Sequence, residues 1–308
     1  MELSIVTTLY RSARYVGEFH RRISAVAMSL AVDYEIIFVN DGSPDDSISL
    51  AKDLIALDSR VTIIDLSRNF GHHRAMMCGL QQAKGDLVFL IDVDLEEAPE
   101  SLINFWHAMK SDPEADLVYG QLIEKKAPIV RRLLSETFYL LFNFLSNVKL
   151  DSRQGVSRLM TRAYVDALVA YSERELFFPA IWEDVGFRQI GIPITKTFDG
   201  FSTYTLRKRL SLAIDAVLSF SSKPLVFVFY TGFLISTGAM IFLTYLIYRK
   251  YFIADVALGW TSLVAVQFLL GGIIIFILGL IGIYIAKIYN EVKARPQVIV
   301  RRIYQAER

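Results

Sequence analysis

Two long stretches without a charged side chain constrain this chain more than any other feature of its sequence. Residues 224–248 and 256–286 contain no Asp, Glu, Lys or Arg. About 20 apolar residues in an α-helix, rising about 1.5 Å each, cover the roughly 30 Å hydrocarbon core of a bilayer. Each stretch is therefore long enough to span a membrane, and the seven-residue loop at 249–255 predicts a hairpin.

The excess of apolar residues is confined to this part of the chain. The sequence has 308 residues, of which 53% are hydrophobic, and a formal net charge of +1. Residues 1–204 are enough for one domain with a sizeable core. A net charge this close to zero gives no reason to expect a nucleic-acid partner. The single cysteine, Cys78, excludes an internal disulfide and fits a reducing compartment.

Short apolar runs alternate with helix-like segments through the first half of the sequence. The alternation predicts an α/β domain whose mostly parallel, Rossmann-like sheet is covered by helices on both faces. The predicted strands are Leu3–Leu9, 35–40, Val61–Leu66, 87–92 and 116–123. The predicted helices are 16–30, 45–57, 74–83 and an amphipathic one at 131–147, whose apolar face makes homo-oligomerisation a further expectation.

Four polar residues follow these predicted strands directly. Ligands of parallel sheets bind beyond the carboxyl ends of the strands, so we expect these residues at one edge: Asp41, Asn69, Asp92 and Asp94. In Asp92-Val93-Asp94-Leu95-Glu96, carboxylates at alternate positions can converge on one divalent cation, Mg²⁺ or Mn²⁺, with Asp92, Asp94 and Glu96 as ligands. Taken alone, such a motif is more often only an acidic turn.

Basic residues flank the apolar stretches and predict their topology. They are concentrated outside the hairpin loop, which places both termini and the first domain in the cytoplasm by the positive-inside rule. We expect spans at 224–248 and 260–286 within a segment 224–288, and a cytoplasmic tail at 289–308. Residues 205–223 predict an amphipathic helix, which lies either in the membrane interface or against the soluble core. These features predict a multi-pass protein of the inner membrane.

A set of motifs in a fixed order carries a resemblance to a known family. The set comprises residues 3–10, Asp41-Gly42-Ser43, residues 67–71, Asp92-Val93-Asp94-Leu95, Ala98-Pro99-Glu100, residues 157–160, residues 200–204 and residues 219–225. It resembles the family-2 glycosyltransferases of GT-A fold. The later segments resemble, within that family, the polyprenyl-phosphate glycosyltransferases, the group of the bactoprenol glucosyltransferases and dolichyl-phosphate mannose synthase. The similarity covers nearly the whole chain, including the two-span region.

The resemblance implies an inverting, metal-dependent transfer of a hexose from a nucleoside-diphosphate sugar to a polyprenyl phosphate such as undecaprenyl phosphate. The transfer would take place at the cytoplasmic face of the membrane and serve O-antigen or other cell-envelope glycans. The residues implied to bind the nucleotide sugar are Thr8, Leu9, Tyr10, Asp41, Asn69, Gly71 and Asp92. Those implied to bind the acceptor phosphate are Arg158, Ser202 and Tyr204, and the catalytic residues implied are Asp94, Asp184 and Arg158.

Several positions depart from the pattern of the family. Gly155-Val156-Ser157-Arg158 stands where the family has Gly-Asp-Phe-Arg, so a carboxylate of the acceptor site is missing. A lipid phosphate is already ionised at neutral pH and needs little help from a general base. We expect Asp184 or Asp151 to supply part of the missing charge. Thr8 replaces a proline, Ser12 replaces a glutamate, and His72-His73 replaces a lysine–glutamate pair, for which we expect a phosphate contact or a surface position.

Three other classes of protein fit the same residues less well. A catalytically degenerate homologue acting as a membrane scaffold or partner subunit would explain Val156 and Ser12, but not the retention of Asp41, Asp92 and Asp94. A transporter would need more spans or charged groups within them. A sugar-phosphate nucleotidyltransferase would need a glycine-rich basic loop after the first strand. The glycosyltransferase is the interpretation that these residues favour.

Overall fold

The computed structural model describes residues 1–123, 153–174, 176–196, 223–252 and 260–306. Contacts between Cα atoms divide the chain into two compact units, of which the second holds the two long apolar helices. The first unit contains the described residues up to 196 together with 295–306. The predicted helices at 131–147 and 205–223, and the site candidates Asp151, Ser202 and Tyr204, lie outside the described residues.

The first unit is a mixed β-sheet with helices packed against it. Its eight described strands are β1 (Leu3–Leu9), β2 (Tyr34–Asn40), β3 (Val61–Leu66), β4 (Leu87–Leu90), β5 (Leu117–Leu122), β6 (Gln154–Thr161), β7 (Gln189–Ile194) and β8 (Val300–Gln305). Its described helices are α1 (Ala13–Ser29), α2 (Ser47–Leu57), α3 (His72–Gln82), α4 (Ser101–Ser111), α5 (Arg162–Val169) and α6 (Phe178–Asp184). The strands predicted between residues 3 and 123 and the helices predicted at 16–30, 45–57 and 74–83 are thus present, with ends shifted by up to three residues, whereas α4 was not predicted.

The strand order β7-β5-β6-β4-β1-β2-β3-β8 creates a switch point at the centre of the sheet. Strands β4, β1, β2 and β3 are parallel, and β6 and β8 run antiparallel to their neighbours. The chain proceeds from β1 to β2 and β3 on one side, and β4 then returns to the other side of β1. In open α/β sheets, the crevice beyond the strand ends at such a reversal is where ligands bind.

Continuous apolar sequence explains why these strands occupy the centre of the sheet. Every residue of β1 and of β2 is buried, as a strand covered on both faces requires. Helix α1 buries Val16, Phe19 and Ile23, whose spacing of three and four residues places them on one face. The same core includes Phe38 and Phe89 from the central strands.

Strand β8 completes the sheet at the β3 edge and was not predicted from the sequence, which indicated only a tail at 289–308. Its residues pair with β3 from Thr62 to Leu66, and the Ser67 N–H donates to the Ile299 carbonyl at 2.9 Å. Arg301 lies 3.6 Å from the buried carboxylate of Asp65 and donates to the Ser67 carbonyl at 2.6 Å. The segment that follows the apolar helices in sequence is therefore part of the same sheet as β1 and β4.

The second unit consists of two long helices, α7 (Lys223–Phe252) and α8 (Trp260–Val292). Among the described residues, one segment, Leu270–Val292, is long and apolar enough to cross a bilayer; it has 23 residues and a mean hydropathy of 2.3. In α7 a shorter apolar stretch, Leu225–Ile235, falls below that length. One potential span is therefore found by length and composition, and the hairpin of two spans stays a prediction.

Candidate active site

Two carboxylates follow β4 at the switch point of the sheet. Asp92 and Asp94 lie just beyond Leu90, which pairs with Val6 of β1. Burial, together with the negative charge of Asp92, raises the pKa of Asp94 to about 6. Because like charges raise a carboxyl pKa only at short range, the two groups share one environment. Leu95, in the loop after β4, adopts a positive φ of 62°, a conformation that a non-glycine side chain disfavours.

The next two acidic residues have partners of their own. The Glu96 carboxylate lies 3.0 Å from the Lys196 ammonium. The Glu97 carboxylate is buried and accepts from the backbone N–H groups of Val156 and Ser157, at 3.1 and 2.8 Å. Glu96 was predicted as a metal ligand, and the structure places it in an ion pair. Glu97 fixes the backbone at the position where the family carries its aspartate.

His72 connects the ends of β1 and β4. Its Nδ1 lies 3.0 Å from the Thr8 hydroxyl, and its Nε2 lies 3.3 Å from Oδ1 of Asp92. Burial opposes the charged form of the imidazole, but the attraction and hydrogen bond of Asp92 outweigh it and raise the pKa of His72. We expected a phosphate contact or a surface position for His72 and did not predict this bridge. Sequence spacing gives no sign that α3 begins between the two strands.

Asp41 holds a loop of the site rather than facing open solvent. Its Oδ1 accepts from the Phe70 N–H at 2.7 Å and its Oδ2 from the Gly71 N–H at 3.0 Å. Burial raises the pKa of Asp41, although both N–H donors act in the opposite direction. The carboxylate thereby joins the end of β2 to the start of α3, where Gly71 is the N-cap with φ 102°. The nucleoside contact predicted for Asp41 remains a prediction.

A second carboxylate, Asp45, joins the same turn to the loop after β1. It accepts from the hydroxyls of Ser43 and Ser47 and from the Ala13 N–H. Burial alone would raise the pKa of Asp45, but these donors lower it to about 2. The Arg11 N–H in turn donates to the Ser43 hydroxyl at 2.7 Å. This network fixes the two loops that border the switch point on the β1 and β2 side.

The remaining nucleotide-site candidates differ in how much of their side chain is accessible. Thr8 is mostly buried under His72, and Leu9 is fully buried in the core, so the Leu9 side chain has no surface for a ligand. Tyr10 is 43% exposed, and Asn69 is exposed on the loop between β3 and α3. Of these residues, Tyr10 and Asn69 therefore have side chains that are accessible to a nucleotide, and Thr8 and Leu9 do not.

Arg158 is fully buried, in contrast to the expected phosphate-facing position. Its Nε and Nη2 donate to the carbonyls of Val156 and Gly155, and its guanidinium packs against the ring of Trp182. Burial lowers the pKa of Arg158 to about 9, which still leaves it charged at neutral pH. In the middle of the sheet β6 pairs Arg158 with Leu90, and Trp182 of α6 covers the Arg158 side chain. Its described contacts are structural.

Asp184, the candidate for the missing negative charge, is exposed at the carboxyl end of α6. It accepts from the Tyr171 hydroxyl at 2.8 Å, and this bond raises the pKa of Tyr171, with burial as the larger cause. The neighbouring Glu183 is half-buried and accepts from the Gln154 side chain. The two acidic residues therefore point to different environments, and the charge nearer to Arg158 is that of Glu183.

A divalent cation fits the chemistry of this edge. Asp92 and Asp94 supply hard oxygen donors whose mutual repulsion a cation would relieve. In the part of the chain that the structure describes, no group of three or more His, Cys, Asp or Glu side chains is gathered as a ligand set. A cation held by these two residues would therefore take its other ligands from phosphate oxygens and water, as Mg²⁺ commonly does.

The mostly parallel sheet, its switch point and the paired carboxylates define a GT-A-type α/β fold. The model of glycosyl transferase family 2 matches residues 4–168. A relative from Mycobacterium tuberculosis, described as "putative glycosyltransferases", is 44% identical over 100% of this chain and 90% of its own length. The "prophage bactoprenol glucosyl transferase homolog" of Escherichia coli is 30% identical over 98% of this chain and 99% of its own.

A solved mannosyltransferase from Pyrobaculum calidifontis, in complex with GDP-Man and Mn²⁺, is 14% identical to this chain. The structural match has a TM-score of 0.48 and covers 71% of this chain and 63% of that one. The family match and the full-length relatives decide the assignment. This chain belongs to glycosyl transferase family 2 and is a glycosyltransferase.

Proposed function

We propose that this glycosyltransferase moves a hexose from a nucleoside-diphosphate sugar to a polyprenyl phosphate at the cytoplasmic face of a membrane, with inversion at the anomeric carbon. The observation that carries the proposal is the pair Asp92 and Asp94 beside β1 at the switch point of the sheet. The product would serve cell-envelope glycans such as O-antigen.

The donor half of the proposal rests on the edge formed by β1, β2 and β4. Tyr10 and Asn69 are open to the nucleoside, whereas Asp41 and Asp45 hold the loops that carry these residues. The amino end of α3 points its first N–H groups, unpaired within the helix, towards the same edge, a favourable place for phosphate oxygens. Lys196, close to Glu96 and Asp94, adds positive charge next to the carboxylates.

The acceptor half rests on the apolar helices and on the relatives. Leu270–Val292 suits a bilayer span, and relatives of nearly the same length are named bactoprenol glucosyl transferases. We propose that both apolar helices span the membrane as a hairpin, at 224–248 and 260–286, with both chain ends in the cytoplasm. Ser202 and Tyr204 remain proposed contacts of the acceptor phosphate, as implied by the family pattern.

In the proposed reaction, a phosphate oxygen of the lipid attacks the anomeric carbon of the sugar. The bond from that carbon to the diphosphate oxygen breaks, and the nucleoside diphosphate leaves with the electron pair. A cation held by Asp92 and Asp94 would neutralise charge on the departing diphosphate. The protein contributes mainly by holding donor and acceptor in line. Because the lipid phosphate is already ionised, Asp184 need act only through its charge.

The test uses the purified full-length chain with Mn²⁺, undecaprenyl phosphate and a panel of nucleotide sugars, and detects glycolipid by mass spectrometry. One nucleotide sugar should yield a polyprenyl-phosphate hexose, and EDTA should abolish the product. Asp94→Asn should lower the rate roughly 100-fold or more, as expected when a charge-stabilising group is lost. Asp46→Asn is the matched control, because Asp46 is exposed and forms no capping hydrogen bond at α2.

Absence of glycolipid with every donor would refute the proposal and favour the scaffold. Product that persists in EDTA and in Asp94→Asn would refute the metal-dependent donor site. Asp184→Asn separates two roles for that residue: a loss of turnover comparable to Asp94→Asn supports its charge in the reaction. Turnover near the wild-type value limits Asp184 to its contact with Tyr171.

A further inference from the structure

His72 occupies a position that neither the core nor the helix requires. Its side chain is 45% exposed, so packing in the hydrophobic core does not account for a histidine at this place. The adjacent His73 is different, because its ring packs edge-on against Phe178 and its Nδ1 contacts the Leu176 carbonyl at 2.9 Å. Packing of α3 thus explains His73, and His72 needs another explanation.

The switch point provides that explanation. Val6 of β1 pairs with Leu90, the last residue of β4; two positions further along the chain lie Thr8, still on β1, and Asp92, just beyond β4. The imidazole of His72 fills the gap between these two side chains, with Nδ1 towards the Thr8 hydroxyl and Nε2 towards Asp92 Oδ1. One ring therefore links the strands on either side of the ligand crevice.

The two contacts fix the orientation of the imidazole in either protonation state. In the neutral ring, Nε2–H donates to Asp92 and Nδ1 accepts from the Thr8 hydroxyl. In the charged ring, both nitrogens donate, and the Thr8 hydroxyl oxygen accepts. Thr8 thus orients the ring, and the ring orients the carboxylate. Partners of this kind commonly fix the geometry of metal-binding carboxylates, and their loss typically costs 10- to 100-fold in metal affinity.

We propose that His72 is a positioning residue of the donor site, which holds the Asp92 carboxylate in the orientation that binds the cation, with Thr8 locking the imidazole. This inference rests on the proposed function through the metal-binding role of Asp92. It concerns residues that differ from the family pattern, since that pattern has a proline at Thr8 and a lysine at His72. The two departures are in contact and form one unit.

The test measures binding of Mn²⁺ alone to the purified full-length protein, by the electron paramagnetic resonance signal of free Mn²⁺. His72→Ala should weaken binding about 10- to 100-fold. Thr8→Val, which removes only the hydroxyl, should weaken it less, and Thr8→Ser should restore it relative to Thr8→Val. His20→Ala is the matched control and should leave binding unchanged. His20 lies on α1, and its Nε2 forms a similar contact of 3.2 Å with Asp58, the C-cap residue of α2, before the amino end of β3 rather than at the carboxyl ends of the strands.

Spin-echo spectra of the bound Mn²⁺ distinguish a positioning residue from a ligand. We expect no directly coupled nitrogen in the wild type, and a coupled nitrogen that disappears in His72→Ala would overturn the positioning role. Wild-type binding with unchanged affinity in His72→Ala and Thr8→Val would also overturn it, while leaving the proposed function intact. A wild type that binds no Mn²⁺ in the absence of a nucleotide would overturn the positioning role, whereas the proposed function is decided separately by the glycolipid assay. If His72→Ala unfolds, the Thr8→Val and Thr8→Ser pair decides the result.

Discussion

Replacing Gly42 by alanine should destabilise the first unit much more than the same replacement at Gly17. Gly42 has φ +58°, and a Cβ on it would lie 2.5 Å from the backbone nitrogen of Asn69 and closer still to the carbonyl carbon of Arg68. Gly17 lies on the exposed face of α1, and nothing is within 4 Å of an added Cβ. The two substitutions add the same methyl group to opposite environments.

The expected changes in the free energy of unfolding follow from these geometries. The left-handed conformation costs an L-residue about 1–2 kcal/mol. The contact with the backbone of the 68–69 loop forces that loop to move, at about 1–3 kcal/mol. Gly42→Ala should therefore cost about 2–5 kcal/mol, whereas Gly17→Ala should stabilise the helix by about 0.5–1 kcal/mol. Gly71, with φ +102° and open space around it, should fall between them, because only backbone strain acts there.

Thermal unfolding of the detergent-solubilised full chain, followed by tryptophan fluorescence, measures these differences. At about 2–4 °C per kcal/mol for a unit of this size, Gly42→Ala should lower Tm by roughly 4–20 °C, and Gly17→Ala should raise it slightly. Gly42→Ala should also weaken donor binding, because the displaced loop carries the Phe70 and Gly71 N–H groups that Asp41 holds. A Tm for Gly42→Ala within 2 °C of wild type (roughly the effect of 1 kcal/mol), or equal losses at Gly42 and Gly17, would refute the reasoning.

Two further predictions concern charged residues. Asp45→Asn should lower Tm at pH 7. The difference in Tm from wild type should shrink as pH falls from about 4 towards 2, because the folded-state pKa of about 2 lies below the ordinary 3.8 and the stabilising charge is lost on protonation. A difference in Tm that stays constant with pH would contradict this. Arg301→Met should cost about 1–2 kcal/mol by depriving the buried Asp65 of a partner, and should accelerate hydrogen exchange in β8. Gln305→Met, at the other end of β8 opposite Thr62, is the control, and equal acceleration in both variants would exclude the ion pair as the cause.

The sequence predicted the first half of the fold because local and global signals agree there. Continuous runs of Val, Ile, Leu and Phe predict buried parallel strands, and β1 and β3 begin and end where the pattern indicates. Strand β8 was missed, since its alternating basic and apolar residues resemble a tail. Only pairing with β3 makes it a strand, and that pairing joins residues as far apart as Arg301 and Ser67, 234 positions.

The sequence indicated where the candidate site lies in the sheet, but it did not indicate which contacts its side chains make. Strand ends indicated that Asp41, Asp92 and Asp94 lie on one edge, because this follows from parallel topology. Which of them face a ligand and which hold a loop depends on tertiary packing. The buried positions of Arg158 and Leu9 likewise depend on the strands and helices that cover them. Glu97, the fourth acidic residue in the run after β4, was present in the sequence, but spacing alone did not indicate its role.

Because β8 pairs with β3, the timing of synthesis bears on how the sheet is finished. Residues 300–305 emerge from the ribosome only after both apolar helices, so the outer edge of β3 is without its neighbour while those helices are being made. Exposed edges of this kind readily recruit foreign strands. A nascent chain arrested before residue 300 should therefore be prone to aggregation, because synthesis of both apolar helices precedes the pairing of β8 with β3.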